Sequence, residues 1–341
     1  MELAFRPVTL RLESPFRISR STDETAEVVW VELTANGVTG YGEATPQDHY
    51  GETVESACAF LEEARELLGD DPFCLESIGR RLASIPGETA AKSGLDSALH
   101  DLCGKLVGQP VWRLLGLDPT GPPTSWTIWL GDPDDMARRA ESVRGRFHRL
   151  KLKLGARDGH DVERVRAVRS VVDEPLQVDV NEYWELEEAV DAINQLAELG
   201  VEYVEQPLPA GDPGGAELKR RSKLPIFVDE DCHTLGDVPA CGERAHGVNV
   251  KLAKSGGIRE AVRMVHTARA LGLGCMLGCM IESGLGIAPG VQIASLFDHV
   301  DLDGNLLLAE DPWPGVGFED GVQVPSADPG LGVREAITDP R

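Results

Sequence analysis

At 341 residues, 42% hydrophobic and 26% charged, the chain is too long for one small core, and it has the make-up of a folded globular protein rather than a disordered or fibrous one. Lys and Arg number 33 against 57 Asp and Glu, and the resulting charge of −24 repels phosphate backbones and anionic lipid, so nucleic acid and membrane are not expected partners. That excess is read as a solubility or salt-tolerance feature, so an acidic substrate would need a local cationic site. The start of the chain shows no basic stretch followed by an apolar core, and a cytoplasmic location is expected. The seven cysteines form no Cys-x-x-Cys pair and are read as reduced, mostly buried thiols.

The first forty-odd residues alternate in short runs, with Val28 to Leu33, the turn pair Asn36-Gly37 and then Val38 to Tyr41, which predicts a small antiparallel sheet. Helical periodicity follows: Val54, Ala57, Leu61, Ala64 and Leu68 share one face, as do Ala91, Leu95, Ala98, Leu99, Leu102 and Leu106. Strands followed by helices predict an α+β domain over residues 1–121, closed by the break Gly121-Pro122-Pro123.

From Thr124 the rhythm changes to short apolar runs near 124, 149, 176, 202, 225, 247, 274 and 298, several of them followed by an amphipathic stretch such as Leu186, Val190, Ile193 and Leu196. The expected fold class is therefore α/β, a TIM-type (β/α) barrel over residues 122–319 preceded by the α+β domain. A doubly wound open sheet is the rival, but no Gly-x-Gly-x-x-Gly follows the first strand. Residues 320–341 are expected to pack back on the first domain.

Barrel chemistry belongs at the carboxyl ends of the strands. The second barrel strand, Arg149 to Leu154, puts Lys151 and Lys153 on one face and leucines on the other; a solvated edge strand is the alternative. Strands three, four and five each place an acid after an apolar run, namely Asp179, Glu205 and Asp229, one barrel unit apart. Singly, each reads as a helix cap or loop residue; together, three oxygen donors with no His or Cys suit a hard cation, Mg²⁺ before Ca²⁺, with Mn²⁺ an option. Strand six brings Lys251 to the same rim from the opposite side. Lys254, just before Gly256-Gly257, is read as a cap for the next helix rather than an anion ligand.

These residues together resemble the enolase superfamily, in its muconate lactonizing enzyme subgroup, over nearly the whole chain. The carriers are Lys151-x-Lys153, Asp179 with Asn181, Glu205-Gln206-Pro207, Asp229-Glu230, Lys251 within Val-Lys-Leu-Ala-Lys-Ser-Gly-Gly, and the helix from Ala91 to Leu102. Cys279-Met280-Ile281-Glu282-Ser283 and Asp301-Leu302-Asp303 are most similar to dipeptide epimerases, including the type acting on L-Ala-D/L-Glu. The resemblance implies Mg²⁺ on Asp179, Glu205 and Asp229, with Lys153 and Lys251 as opposed acid–base groups flanking an enediolate. Lys151 would lend positive charge to Lys153. It further implies Asp301 and Asp303 on the ammonium group of a dipeptide, with Glu282 and Ser283 also on the substrate, although an Asp-rich turn is the plainer reading of 301–304. Cap stretches Pro15–Thr25 and Thr45–Gly51 would close over the mouth. There, Arg17 or Arg20 would pair with an acidic side chain or remain a solvated loop arginine. A symmetric homo-oligomer is expected from the same likeness. N-succinylamino acid racemisation, o-succinylbenzoate synthesis, cycloisomerisation and a noncatalytic carboxylate-binding barrel are the rivals.

Overall fold

The computed structural model describes residues 1–335. Strands β1 (Glu2–Arg17), β2 (Thr22–Ala35) and β3 (Val38–Ala44) form one antiparallel sheet in that order. Asn36 and Gly37 join β2 to β3 with φ of 53° and 75°, the pair of positive angles a tight hairpin of matching twist requires. The stretch expected as a loop from Pro15 to Thr25 is instead the tip of the β1–β2 hairpin, with only residues 18–21 outside the strands.

Helices α1 (Val54–Leu68), α2 (Leu75–Leu82), α3 (Thr89–Val107) and α4 (Val111–Leu114) follow. Thr53 and Ser56 cap α1 reciprocally, each side chain accepting the other's backbone N–H. One face of the sheet, with Val29, Val31 and Leu33, is buried against Leu61, Leu95 and Ala98 of α1 and α3.

Strands and helices then alternate: β4 (Trp126–Ile128), α5 (Pro133–Ser142), β5 (Leu150–Lys153), α6 (Asp161–Arg169), β6 (Leu176–Asp179), α7 (Leu186–Glu198), β7 (Val201–Glu205) and α8 (Gly215–Arg221). The second half is β8 (Ile226–Val228), α9 (Val238–Arg244), β9 (Gly247–Lys251), α10 (Leu252–Ser255), α11 (Ile258–Ala270), β10 (Gly274–Gly278), α12 (Gly284–Ile293) and β11 (His299–Val300). All neighbours in this eight-stranded sheet are parallel, in order from β4 to β11. A parallel bridge from Thr124 to Val300 joins its two edges and closes the ring. After β11 a short 3₁₀ turn, Gly304–Leu307, stands where an eighth helix would lie. The barrel is thus a modified (β/α) form with an N-terminal cap, as the sequence predicts.

Two apolar cores fill the space between strands and helices, one for each half of the ring. Tyr203, Phe227 and Met276 make a separate inner cluster. The hairpin β12 (Gly317–Glu319) and β13 (Val322–Val324) leads to Gly330 and Leu331, which hydrogen-bond Val111 and Asp101 of the cap at 3.0 and 2.7 Å. The end of the expected C-terminal segment, 336–341, lies outside the described residues.

Candidate active site

Register brings the site together. Lys153 pairs with Asp179, and Asp179 with Glu205, across three adjacent strands, so their side chains leave the sheet at one level and on one face. All four residues of β5 are buried, with Leu150 and Leu152 in the outer core and Lys151 only 1% exposed. This rules out the edge-strand alternative for the lysines. Lys251 ends β9, four strands from β5 in an eight-stranded ring, and so faces Lys153 from across the barrel.

Every buried cation here has a carboxylate partner, as the cost of isolating a charge demands. Lys151 Nζ lies 2.7 Å from Glu205, 2.8 Å from Asp301 and 3.1 Å from Asp179. Lys153 Nζ donates to Asp179 Oδ2 at 2.6 Å and to Asn181 Oδ1 at 3.3 Å, and Lys251 Nζ is 2.7 Å from Asp229 Oδ2. Burial pushes the Lys151 and Lys251 ammonium groups down, yet the neighbouring carboxylates outweigh it and hold both above the ordinary lysine value. Burial likewise pushes Asp179 and Asp229 up, but their lysines win and hold both below the usual carboxylate range. Burial, with Asp179 next, keeps Glu205 raised.

The donor set fits a hard divalent cation. Glu205 Oε2 and Asp229 Oδ2 are fully buried and accept no well-directed hydrogen bond; each is merely touched by an ammonium group. With Asp179 they offer only carboxylate oxygens, the ligand chemistry of Mg²⁺. A different trio, His49, Glu182 and Glu230, has its potential ligand atoms within 4.8 Å of one another. Arg20 threads that trio, 3.5 Å from Glu182 and 3.0 Å from Glu230, which makes it an ion-pair cluster at the cavity mouth rather than a metal site.

A cavity of about 1100 Å³ lies over these groups, lined by Lys151, Lys153, Lys251, Asp301, Asp303 and the cap segments around Arg20 and Tyr50. Asp301 Oδ1 is buried with no partner. Asp303 accepts from Thr127 N at 2.7 Å, and burial, with Asp301 next in size, pushes its carboxyl up to about 7.

Several expectations need correction. Lys254 is no helix cap: its fully buried ammonium pairs with Asp229 Oδ1 and donates to the carbonyls of Asp229, Cys232 and Asn249. Ser283 caps α12 and bonds Glu43 of β3, so its hydroxyl is spent on joining cap to barrel. Glu282 is not in the cavity wall, which takes Cys279, Met280 and Ile281 from this stretch, and burial, with Glu43 next, pushes its carboxyl well up. Arg20 does reach the cavity, but as the partner of Glu230 rather than as a solvated loop residue.

Two residues to which the sequence reading gave no role support the site. Asn249 donates to Glu205 Oε1 at 2.7 Å, and a side chain at Gly278 would meet it at 2.6 Å, so β10 must be bare there. Its signal was a polar residue inside the apolar run Val248-Asn249-Val250. Gln206 Oε1 accepts from Asp229 N at 2.8 Å and its amide donates to Leu208 O and Asp231, tying the end of β7 to that of β8. It does so at a strained φ of 36°.

The model of the mandelate racemase / muconate lactonizing enzyme N-terminal domain matches residues 1–116, and that of the enolase C-terminal domain-like family matches residues 135–335. The chain belongs to the enolase superfamily. It is 41% identical over 337 residues to an L-Ala-D/L-Glu epimerase of Bacteroides thetaiotaomicron, covering 98% of this chain and 88% of that one. The substrate-liganded L-Ala-D/L-Glu epimerase of Bacillus subtilis superposes with a TM-score of 0.94 at 30% identity, covering 98% of this chain and 99% of the other. A dipeptide epimerase of Enterococcus faecalis V583, complexed with Mg and L-Leu-L-Tyr, gives 0.93 at 31% identity with the same coverage of 98% and 99%.

Proposed function

We propose that this enolase-superfamily chain is a magnesium-dependent dipeptide epimerase, an isomerase that inverts the α-carbon of the C-terminal residue of a dipeptide. The observation that carries the reading is Lys153 and Lys251, presented from opposite sides of the ring to one cavity, with Asp179, Glu205 and Asp229 close to them. A proton next to a carboxylate is hard to remove because the product gathers a second negative charge. Mg²⁺ held by Asp179, Glu205 and Asp229 would supply the opposing charge. Lys153 takes the proton from one face while Lys251 delivers one to the other, and the reverse reaction exchanges their roles. Both lysines are 8% exposed, and both line the cavity.

Asp301, with its unpaired oxygen, and Asp303 suit the free ammonium group of a dipeptide. Arg20 at the mouth, bound to Glu230 and Glu182, would meet an acidic substrate side chain only by sharing its guanidinium with them. The relatives that act on L-Ala-D/L-Glu, and the one crystallised with L-Leu-L-Tyr, support a dipeptide substrate. Seven free cysteines suit a reducing, cytoplasmic setting, and exposed Val107, Leu114 and Leu115 suit contact between copies in a homo-oligomer.

The test is proton NMR in D₂O with Mg²⁺ and a dipeptide set that includes L-Ala-L-Glu. The C-terminal α-proton signal should disappear as the second epimer grows in. Lys153→Ala and Lys251→Ala should each slow epimerisation by about 10²–10⁴-fold. Full activity in both variants would sink the two-lysine reading.

A further inference from the structure

A chain of hydrogen bonds runs from the cap to one of the two lysines and bypasses the other. Both terminal nitrogens of Arg20 lie 3.0 Å from Glu230 Oε1. The same oxygen accepts from Asn181 Nδ2 at 3.4 Å, and Asn181 Oδ1 accepts from Lys153 Nζ at 3.3 Å. The partners fix which way the carboxamide points, because an ammonium can only donate and the Glu230 oxygen facing the amide accepts. Asn181 is 2% exposed, at the wall of the cavity.

The backbone explains why asparagine stands here. Residue 181 has a φ of 47°, its N–H donates to Asp179 Oδ1 at 3.0 Å, and asparagine is among the few residues that tolerate this region. Its carbonyl faces Ser19 Oγ at 3.5 Å, on the hairpin tip that also carries Arg20. Lys251 has a different anchorage. Its ammonium meets Asp229 Oδ2 at 2.7 Å, and Lys254 takes the other oxygen of that carboxylate. Lys153 is therefore aimed by two acceptors, one of them tethered to the cap.

We propose that Asn181, held by Glu230 and Arg20, is a positioning residue that aims Lys153, and not Lys251, at the substrate α-carbon. Seating of the Arg20 hairpin tip then governs proton transfer on one face only. The inference rests on the two-lysine epimerase reading and adds to it an asymmetry between the faces. The plainer view, that Asn181 merely makes the turn after β6, predicts no such asymmetry.

The experiment follows α-hydrogen exchange in D₂O by proton NMR, with Mg²⁺, starting separately from each epimer of one dipeptide. Lys153→Ala identifies the epimer whose exchange needs Lys153. Asn181→Ala should slow exchange from that epimer by about 100-fold and from the other by less than about 3-fold, the size of effect expected of a misaimed group. Glu230→Gln should act in the same direction by about 10-fold. Retained exchange from the second epimer also certifies the fold, and if Asn181→Ala does not fold, the Glu230→Gln asymmetry decides. Equal slowing of both epimers, or of neither, overturns the proposal. A wild-type chain that exchanges no dipeptide would instead refute the epimerase reading. Crystal structures of wild type and Asn181→Ala would then decide the positioning role: Lys153 turned away with Lys251 unmoved supports it, and an unmoved Lys153 overturns it.

Discussion

Glu43 sits at the seam between β3 and α12, 4% exposed, accepting hydrogen bonds from Ser283 N and Trp30 Nε1 at 2.9 Å and from the Ser283 hydroxyl. Burial pushes its carboxyl up from 4.5 to about 7, against the lowering effect of those bonds. An acid raised on folding holds its proton more tightly in the folded chain. Its contribution to stability is full below the unfolded value and is lost as pH rises through the folded one. Between pH 5 and 8, urea unfolding should show the wild type losing roughly 3 kcal/mol more stability than Glu43→Gln. Parallel pH profiles for the two would refute this. At this scale the sequence singled out side chains that the barrel does bring to one place, Lys153 and Asp229 among them. The sequence reading misassigned Lys254 and Ser283 and passed over Glu43, because their partners are set by the fold rather than by near neighbours in the chain.

Strand β3 packs directly on α3. A Cβ at Gly42 would lie 2.1 Å from Gly94 O, and one at Gly40 would lie 2.3 Å from Ala98 O, so strand and helix backbones meet with no side chain between them. Gly42→Ala should force α3 outward and destabilise the protein by about 1–3 kcal/mol in thermal or urea unfolding. Gly37→Ala meets no atom within 4 Å and carries only the strain of its φ of 75°, about 1 kcal/mol. If Gly42→Ala costs no more than Gly37→Ala, the close approach is not limiting. Periodicity shows α3 as a helix with one apolar face. The structure buries every residue from Ser93 to Gly104, because α10 and α11 cover its second side, where Asp96 accepts from Arg259 N at 3.2 Å. A helix covered on both sides by polar as well as apolar neighbours leaves only part of its burial in the hydrophobic pattern.

Over the whole molecule a charge of −24 opposes compaction. Raising NaCl from about 10 mM to about 1 M shrinks the screening length from about 30 Å to about 3 Å, and the melting temperature should climb by a few degrees. A melting temperature that stays level or falls with NaCl would show that lost surface ion pairs outweigh the relieved repulsion. The strand–helix alternation, the strand starts and the acids one barrel unit apart were all legible in the sequence alone, because each is a local pattern of period or spacing. Which partners hold the cap to the barrel was decided only by the tertiary structure. Arg20 meets Glu230 across 210 residues and Ser283 meets Glu43 across 240. A buried charge or hydroxyl is settled by whichever partner the fold delivers to it, and no local pattern in the chain encodes that delivery.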